Sequence, residues 1–226
     1  EMIGTIGGAT VPFVNIGQMK NDGFDISLSG NTMLSKDFKL NATATITTYR
    51  NEIQKISADA KYYEIDARRF DGSNIIRNAV GRSVSEFFGY KVAGFWNSEA
   101  EIEAANATAR AASGDQTAIY QNDIGLGRFK YADINGDGRV TADDRTFLGN
   151  ANPDFSYGLN LGLSYKAFDF SVFFYGVQGN SIWNQVKWWT DFMPSFDGAK
   201  SRTALYDSWT PARMNAKAPI QETAQS

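Results

Sequence analysis

The residues best placed to do chemistry lie in one acidic loop, Asp133 to Asp144, which reads DINGDGRVTADD. Calcium loops place oxygen ligands at the first, third, fifth, seventh, ninth and twelfth positions, with glycine sixth for a sharp turn. Counted from Asp133, these positions are Asp133, Asn135, Asp137, the Arg139 carbonyl, Thr141 and Asp144, with Gly138 sixth. The spacing predicts a structural Ca2+ site. Asp144 stands where a longer glutamate is usual, which predicts weaker binding, through one oxygen or through water. The competing reading is a metal-free turn, because Asn-Gly and Asp-Gly bend the chain unaided. No base, nucleophile or open catalytic partner accompanies the loop, so no catalytic residue is assigned.

Composition narrows the chemistry further. The 226-residue chain has no cysteine and no histidine. That removes disulfides, thiolate nucleophiles, imidazole acid/base catalysis and nearly all transition-metal sites. A net charge of −3, with lysine and arginine dispersed, gives no footprint for nucleic acid. Mean hydropathy is −0.36 and no apolar run reaches the length of a membrane helix. Both facts argue against a helical membrane protein and say little about a barrel, whose strands are only half apolar.

The acidic loop must be held by the elements around it, and the strand that follows is the most regular. From Phe155 to Tyr165, Phe155, Tyr157, Leu159, Leu161, Leu163 and Tyr165 fall on one face. Ser156, Gly158, Asn160, Gly162 and Ser164 fall on the other, a period of two. The length matches the ~9–11 residues of a tilted membrane-crossing strand, and the aromatic ends suit the two interfaces. The opposite face is small and weakly polar, unlike the charged solvent face of a soluble sandwich. Alternation alone leaves both a barrel strand and a buried sandwich strand open. Phe168 to Val177 follows across Lys166-Ala167, and residues 23–34 and 38–50 alternate across Ser35-Lys36-Asp37, so two hairpins are predicted.

The remainder reads as loop: residues 1–22, 51–154 and 178–226. A connection as long as 51–154 is uncommon unless functional. It contains one predicted helix, with Ser98 as N-cap, Glu101 completing a capping box and Gly114 as the stop. Its thin apolar stripe of Ile102, Ala105, Ala109 and Ala112 suits a helix resting on its own loop better than one binding a partner. The last stretch is rich in large rings: Trp183, Trp188, Trp189, Phe192, Phe196, Tyr206 and Trp209. Trp188 and Trp189 are expected to pack as loop core before they bind a ligand.

The order of these motifs separates the readings. The acidic loop, then DRTFLGNANPDFSYGLNL, then SYKAFDFSVFFYGVQGN, resembles the C-terminal barrel region of the SusC/RagA family of TonB-linked outer-membrane transporters. NIGQMKNDGFDISLSG (Asn15 to Gly30) and GYKVAGFW (Gly89 to Trp96) resemble the same family in the same order. The likeness is weak over 51–80 and after about Asn184. The closing Asp144 also resembles dockerin loops, which end in Asp.

The resemblance implies an all-β fold: a segment of a transmembrane antiparallel β-barrel with long extracellular loops and one short loop helix. It implies part of a much longer chain in the cell outer membrane, surrounded by lipid, with the rest of the barrel pairing the open strand edges. The implied function is not enzymatic but energised import of glycans or peptides. A SusD-like surface lipoprotein would act as lid and partner, and TonB would supply energy through a region outside this chain. Because barrels pair short periplasmic turns with long extracellular loops, residues 1–22, 51–154 and 178–226 are expected outside the cell. The alternative is a soluble, calcium-stabilised carbohydrate-binding β-domain using Trp183, Trp188, Trp189 and Trp209 as platforms. A glycosidase with paired carboxylates ranks last, since no motif places such a pair.

Overall fold

The computed structural model describes residues 17–57, 60–65, 74–193 and 198–222. In chain order the strands are β1 (Gln18–Ser35), β2 (Phe38–Lys55), β3 (Tyr62–Ile65), β4 (Ile76–Ala79) and β5 (Glu86–Gly89). Then come β6 (Val92–Phe95), helix α1 (Glu99–Ser113), β7 (Phe129–Tyr131), β8 (Thr146–Asn150), β9 (Phe155–Tyr165) and β10 (Phe168–Gln178). The chain divides into two compact units, Glu1–Phe87 with Gly149–Ser181, and Phe88–Leu148 with Ile182–Ser226.

The first unit is built on a four-stranded sheet in the order β1-β2-β9-β10, antiparallel throughout. The two hairpins are therefore neighbours, and everything between Lys55 and Phe155 is one excursion from adjacent strands. Their turns are also tied, Lys166 N–H donating to the Asp37 carbonyl at 3.0 Å. Among the described residues β1 and β10 keep an unpaired edge, so the sheet is open on both sides. β1 begins at Gln18 rather than at Gly23, and β2 runs on to Lys55 rather than ending at Arg50. The added residues pair Gln18–Asp22 with Arg50–Lys55. They carry a single apolar pair, Met19 with the buried Ile53, too little for a side-chain period, so the ladder continues there on backbone hydrogen bonds.

The excursion is not the irregular loop expected for 51–154. It carries β3 to β8, each of three to five residues and too short to show a period. β3 and β4 pair from Tyr62↔Ala79 to Ile65↔Ile76, and β4 pairs with β5 at Ile76↔Phe87. Arg77 fastens the first pair: Nε donates to Glu64 Oε1 at 2.9 Å and the guanidinium lies 4.0 Å over the Tyr62 ring.

The second unit holds α1 and the two-stranded β6-β7 sheet. The Ser98 hydroxyl accepts from Glu101 N–H at 3.1 Å, and Gly114 closes the helix in the left-handed region. Glu101 reaches back to Asn97 N–H rather than to that of Ser98, and Lys130 Nζ holds its other oxygen at 2.6 Å. Ala109 is buried, so the helix rests on its own unit. Ser98→Ala should cost about 1 kcal/mol and speed amide exchange in the first helical turn, with β6 and β7 protected as before. Unchanged exchange at Glu101 would contradict the cap.

Around the helix the core is aromatic. Trp96 is fully buried, edge-on to Tyr120 at 5.5 Å, and Phe129 stacks on Phe95 and meets Phe192 edge-on. Trp209 is buried and donates Nε1–H to Asn97 Oδ1 at 2.8 Å. Gly127 sits at φ +73°, where a Cβ would lie 2.4 Å from the Trp209 ring, so both φ and space demand glycine. Trp188 and Trp189 are half-buried and meet edge-to-face at 4.8 Å. The sequence shows one loop helix; the structure adds short helical turns at Ala142–Asp144, Gln185–Lys187, Trp188–Phe192 and Arg202–Tyr206. Each is shorter than the ~11–18-residue window over which a helical period is recognised. Phe196 lies outside the described residues.

Candidate functional site

Cross-strand partners share a face of the sheet, so the register assigns two surfaces. On one, rows run across the strands: Ile26–Ile46–Tyr157, Leu28–Ala44–Leu159–Phe174, Gly30–Ala42–Leu161–Val172, Thr32–Leu40–Leu163–Phe170 and Phe38–Tyr165–Phe168. This surface is apolar and open: Leu28 is 74% exposed, Phe170 60% and Phe174 54%. Water-soluble monomers rarely expose a continuous apolar surface of this kind.

Rings frame it at both ends. Tyr157 covers Gly176, where a Cβ would come within 2.2 Å of the Tyr157 ring, and Phe155 lies beside Tyr157 at 6.2 Å. At the turn end, Phe38 and Tyr165 approach to 6.1 Å. From Phe155 to Tyr165 the strand runs about 33 Å, and a tilt of about 40° reduces this to ~25 Å, the height of a barrel's apolar band. No helix among the described residues is long and apolar enough to cross a membrane, which says nothing about strands.

The opposite surface carries the rows Ser27–Thr45–Gly158–Tyr175, Ser29–Thr43–Asn160–Phe173 and Asn31–Asn41–Gly162–Ser171. Ser29 and Thr43 hydroxyls hydrogen bond at 3.0 Å. Phe173 and Tyr175 stand on this polar side as a stacked pair with ring centroids 6.5 Å apart.

The acidic loop lies in the second unit, packed on α1. Gly136 and Gly138 adopt φ of +77° and +87°, and a Cβ at Gly138 would lie 3.0 Å from Ala112. Asp133 Oδ1 accepts from Gly136 N–H and Oδ2 from Gly138 N–H, both at 2.7 Å. Asn135 Oδ1 accepts from Asp137 N–H and Asp137 Oδ1 from Arg139 N–H, both at 2.9 Å. Asp144 is fully buried, taking Ile134 N–H on Oδ1 and Thr141 N–H on Oδ2. Burial pushes its carboxyl up, and the backbone N–H groups of Thr141, Ile134 and Asn135 more than offset this, holding it below the ordinary carboxylate value.

The donor set is thus all oxygen and curled around one turn, as a hard cation requires, but its carboxylates are turned onto backbone amides. Among the described residues no three acidic side chains converge on one point. Tyr120 braces the loop from outside it, its carbonyl accepting from Val140 N–H at 2.6 Å and its hydroxyl from Asp133 N–H at 3.3 Å. No signal within the loop points to that residue.

No family profile matches the chain. It is similar to two proteins of Formosa agariphila. One is TonB-dependent receptor P26, 29% identical over 205 residues, 91% of this chain and 19% of that protein. The other is TonB-dependent receptor P3, 26% identical over 216 residues, 94% and 20% respectively. TonB-dependent receptor SusC of Bacteroides thetaiotaomicron is 24% identical over 70% of this chain and 14% of its own length. Among solved structures, the RagAB peptide transporter matches with a TM-score of 0.63 and 20% identity, over 93% of this chain and 20% of that one. The chain spans about a fifth of the length of the first two relatives. These likenesses support a SusC/RagA-like segment with an outer-membrane barrel fold.

Proposed function

We propose that this chain is part of a TonB-dependent outer-membrane importer of the SusC/RagA kind, taking up a glycan or peptide nutrient. The observation that carries the reading is the apolar surface shared by four paired strands, framed by rings at both ends. In this reading that surface meets lipid and the small polar one faces the barrel interior. The excursion between β2 and β9 and the stretch after β10 lie outside the cell, where a SusD-like lipoprotein closes over them. TonB supplies the energy, and the protein carries its substrate without altering it. The names of the relatives support transport over catalysis. A soluble carbohydrate-binding domain is not favoured, because it would leave the apolar surface in water.

Fractionation of cells expressing the full-length protein tests this. The protein should appear in the outer membrane and migrate faster on gels before boiling than after. Recovery in the soluble fraction without detergent contradicts the reading.

The acidic loop is proposed to hold Ca2+ through Asp133, Asn135, Asp137, Thr141, Asp144 and the Arg139 carbonyl. Support comes from the all-oxygen donor set and the two left-handed glycines. The ion would supply positive charge that fixes the loop beside α1. Calorimetric titration should give a dissociation constant of ~10⁻⁴–10⁻³ M, and chelation should accelerate amide exchange over 128–148 while β9 stays protected. Absence of binding heat at millimolar calcium, with unchanged exchange, removes the site.

A further inference from the structure

The apolar surface of the first unit does not end at its rings. On β1 and β2 the same face continues past the pair Phe24–Thr48 into two charged rows, Asp22–Arg50 and Lys20–Glu52. Residues two apart on a strand, and cross-strand partners, share a face, so these four side chains continue the surface of Leu28 and Ile26. Tyr49 and Asn51 point to the other side. A strand rises about 3.4 Å per residue. At a tilt of about 40° the Asp22–Arg50 row then lies ~5 Å beyond Phe24, and the Lys20–Glu52 row ~10 Å beyond it. The polar headgroup zone adds ~5–7 Å to each side of a bilayer's hydrocarbon core. In the import reading Arg50 therefore stands at headgroup depth and Glu52 at the outer margin of that zone.

The charges do not cancel within the patch. Lys20 Nζ is bound to Asp22 Oδ2 at 2.7 Å, one cation taking one anion. Arg50 and Glu52 are left, on one strand and one face, and among the described residues neither enters an ion pair. Glu52 accepts a neutral hydrogen bond, from Gln54 Nε2 to Oε1 at 2.9 Å, and Arg50 is exposed. A guanidinium fork matches two phosphate oxygens at once, and a carboxylate oxygen matches an ammonium. A lipid head that carries both groups meets both side chains in the right order. Its phosphate lies nearer the acyl chains, at the depth of Arg50, and its ammonium reaches outward to Glu52. A purely anionic head would set its charge against Asp22 and Glu52 with no ammonium to offset them. We infer that Arg50 and Glu52 form a surface site for a phosphoethanolamine-type lipid headgroup, an inference that rests on the import reading for the lipid beside the sheet.

The test uses full-length protein purified from outer membranes in detergent, stripped of lipid and titrated by native mass spectrometry. The probes are phosphatidylethanolamine, its N-acetyl derivative, which keeps the phosphate and loses the ammonium, and phosphatidylglycerol. Phosphatidylethanolamine should bind about tenfold more tightly than either of the others. Glu52→Ala should remove that preference, and Arg50→Ala should weaken all three lipids about tenfold. Lys39→Ala, on the opposite face of β2, should change neither. Equal binding of the three lipids by the unaltered protein, or a preference for phosphatidylglycerol, overturns the site. So does a preference that survives in Glu52→Ala, or binding unchanged in Arg50→Ala. The comparison of lipids on unaltered protein decides the matter even where a variant fails to assemble. Recovery of the protein in the soluble fraction sinks the import reading and the site with it. A barrel correctly inserted that treats the three lipids alike sinks only the site.

Discussion

Leu161→Arg is expected to abolish assembly in the outer membrane, while Asn160→Arg, one residue away, leaves most of it intact. Leu161 lies in the row Gly30–Ala42–Leu161–Val172, midway between the ring-bearing ends of the apolar surface. An arginine at the midplane of a lipid-facing strand costs ~2–4 kcal/mol. No side chain in that row can offset it, since none carries a charge or a hydroxyl. Asn160 points the other way, opposite Thr43 and Phe173, onto a surface of hydroxyls and amides where a guanidinium stays hydrated. The yield of heat-modifiable protein in outer-membrane fractions measures both variants. Equal losses would mean that the two surfaces do not differ in solvent, and the barrel reading would fail with them.

Trp209→Ala should have the second-largest effect, and a different kind. Removing a buried tryptophan costs ~3–5 kcal/mol. Here it also empties the space against Gly127 and leaves Asn97 Oδ1 without its indole donor. The damage should stay within the second unit: limited proteolysis should cut within 88–148 and 182–222 while β9 and β10 remain protected. Trp183→Ala, at a residue 39% exposed, should leave the digestion pattern unchanged. Similar patterns for the two variants would show that Trp209 is not the anchor.

How much of this was legible in the sequence depended on how long each pattern ran. β9 alternates over eleven residues, and its bounds and turn follow from side-chain types alone. β10 is less legible, because Phe173, Phe174 and Tyr175 are consecutive rings and no period says which face each takes. Only the register with β9 places Phe173 and Tyr175 on the polar side. The strands of the excursion are shorter than any readable period, and the polar extensions of β1 and β2 have no period to read. Ser98 and Gly114 mark the helix ends because capping is local chemistry. The acidic loop is legible as a spacing of oxygen donors, whereas the amides those oxygens accept from, and the brace from Tyr120, depend on how the chain curls.

The central claim, that one surface of this sheet meets lipid and the other water, is open to a direct measurement. The chain has no cysteine, so Leu159→Cys, Asn160→Cys, Leu161→Cys, Gly162→Cys and Leu163→Cys can each carry a single nitroxide in the full-length protein in native membranes. Relaxation by dissolved oxygen, which concentrates in lipid, and by a water-soluble nickel chelate should alternate along the strand in opposite phase. Oxygen should dominate at 159, 161 and 163, and the chelate at 160 and 162. Equal chelate collision at both sets of positions would contradict the account.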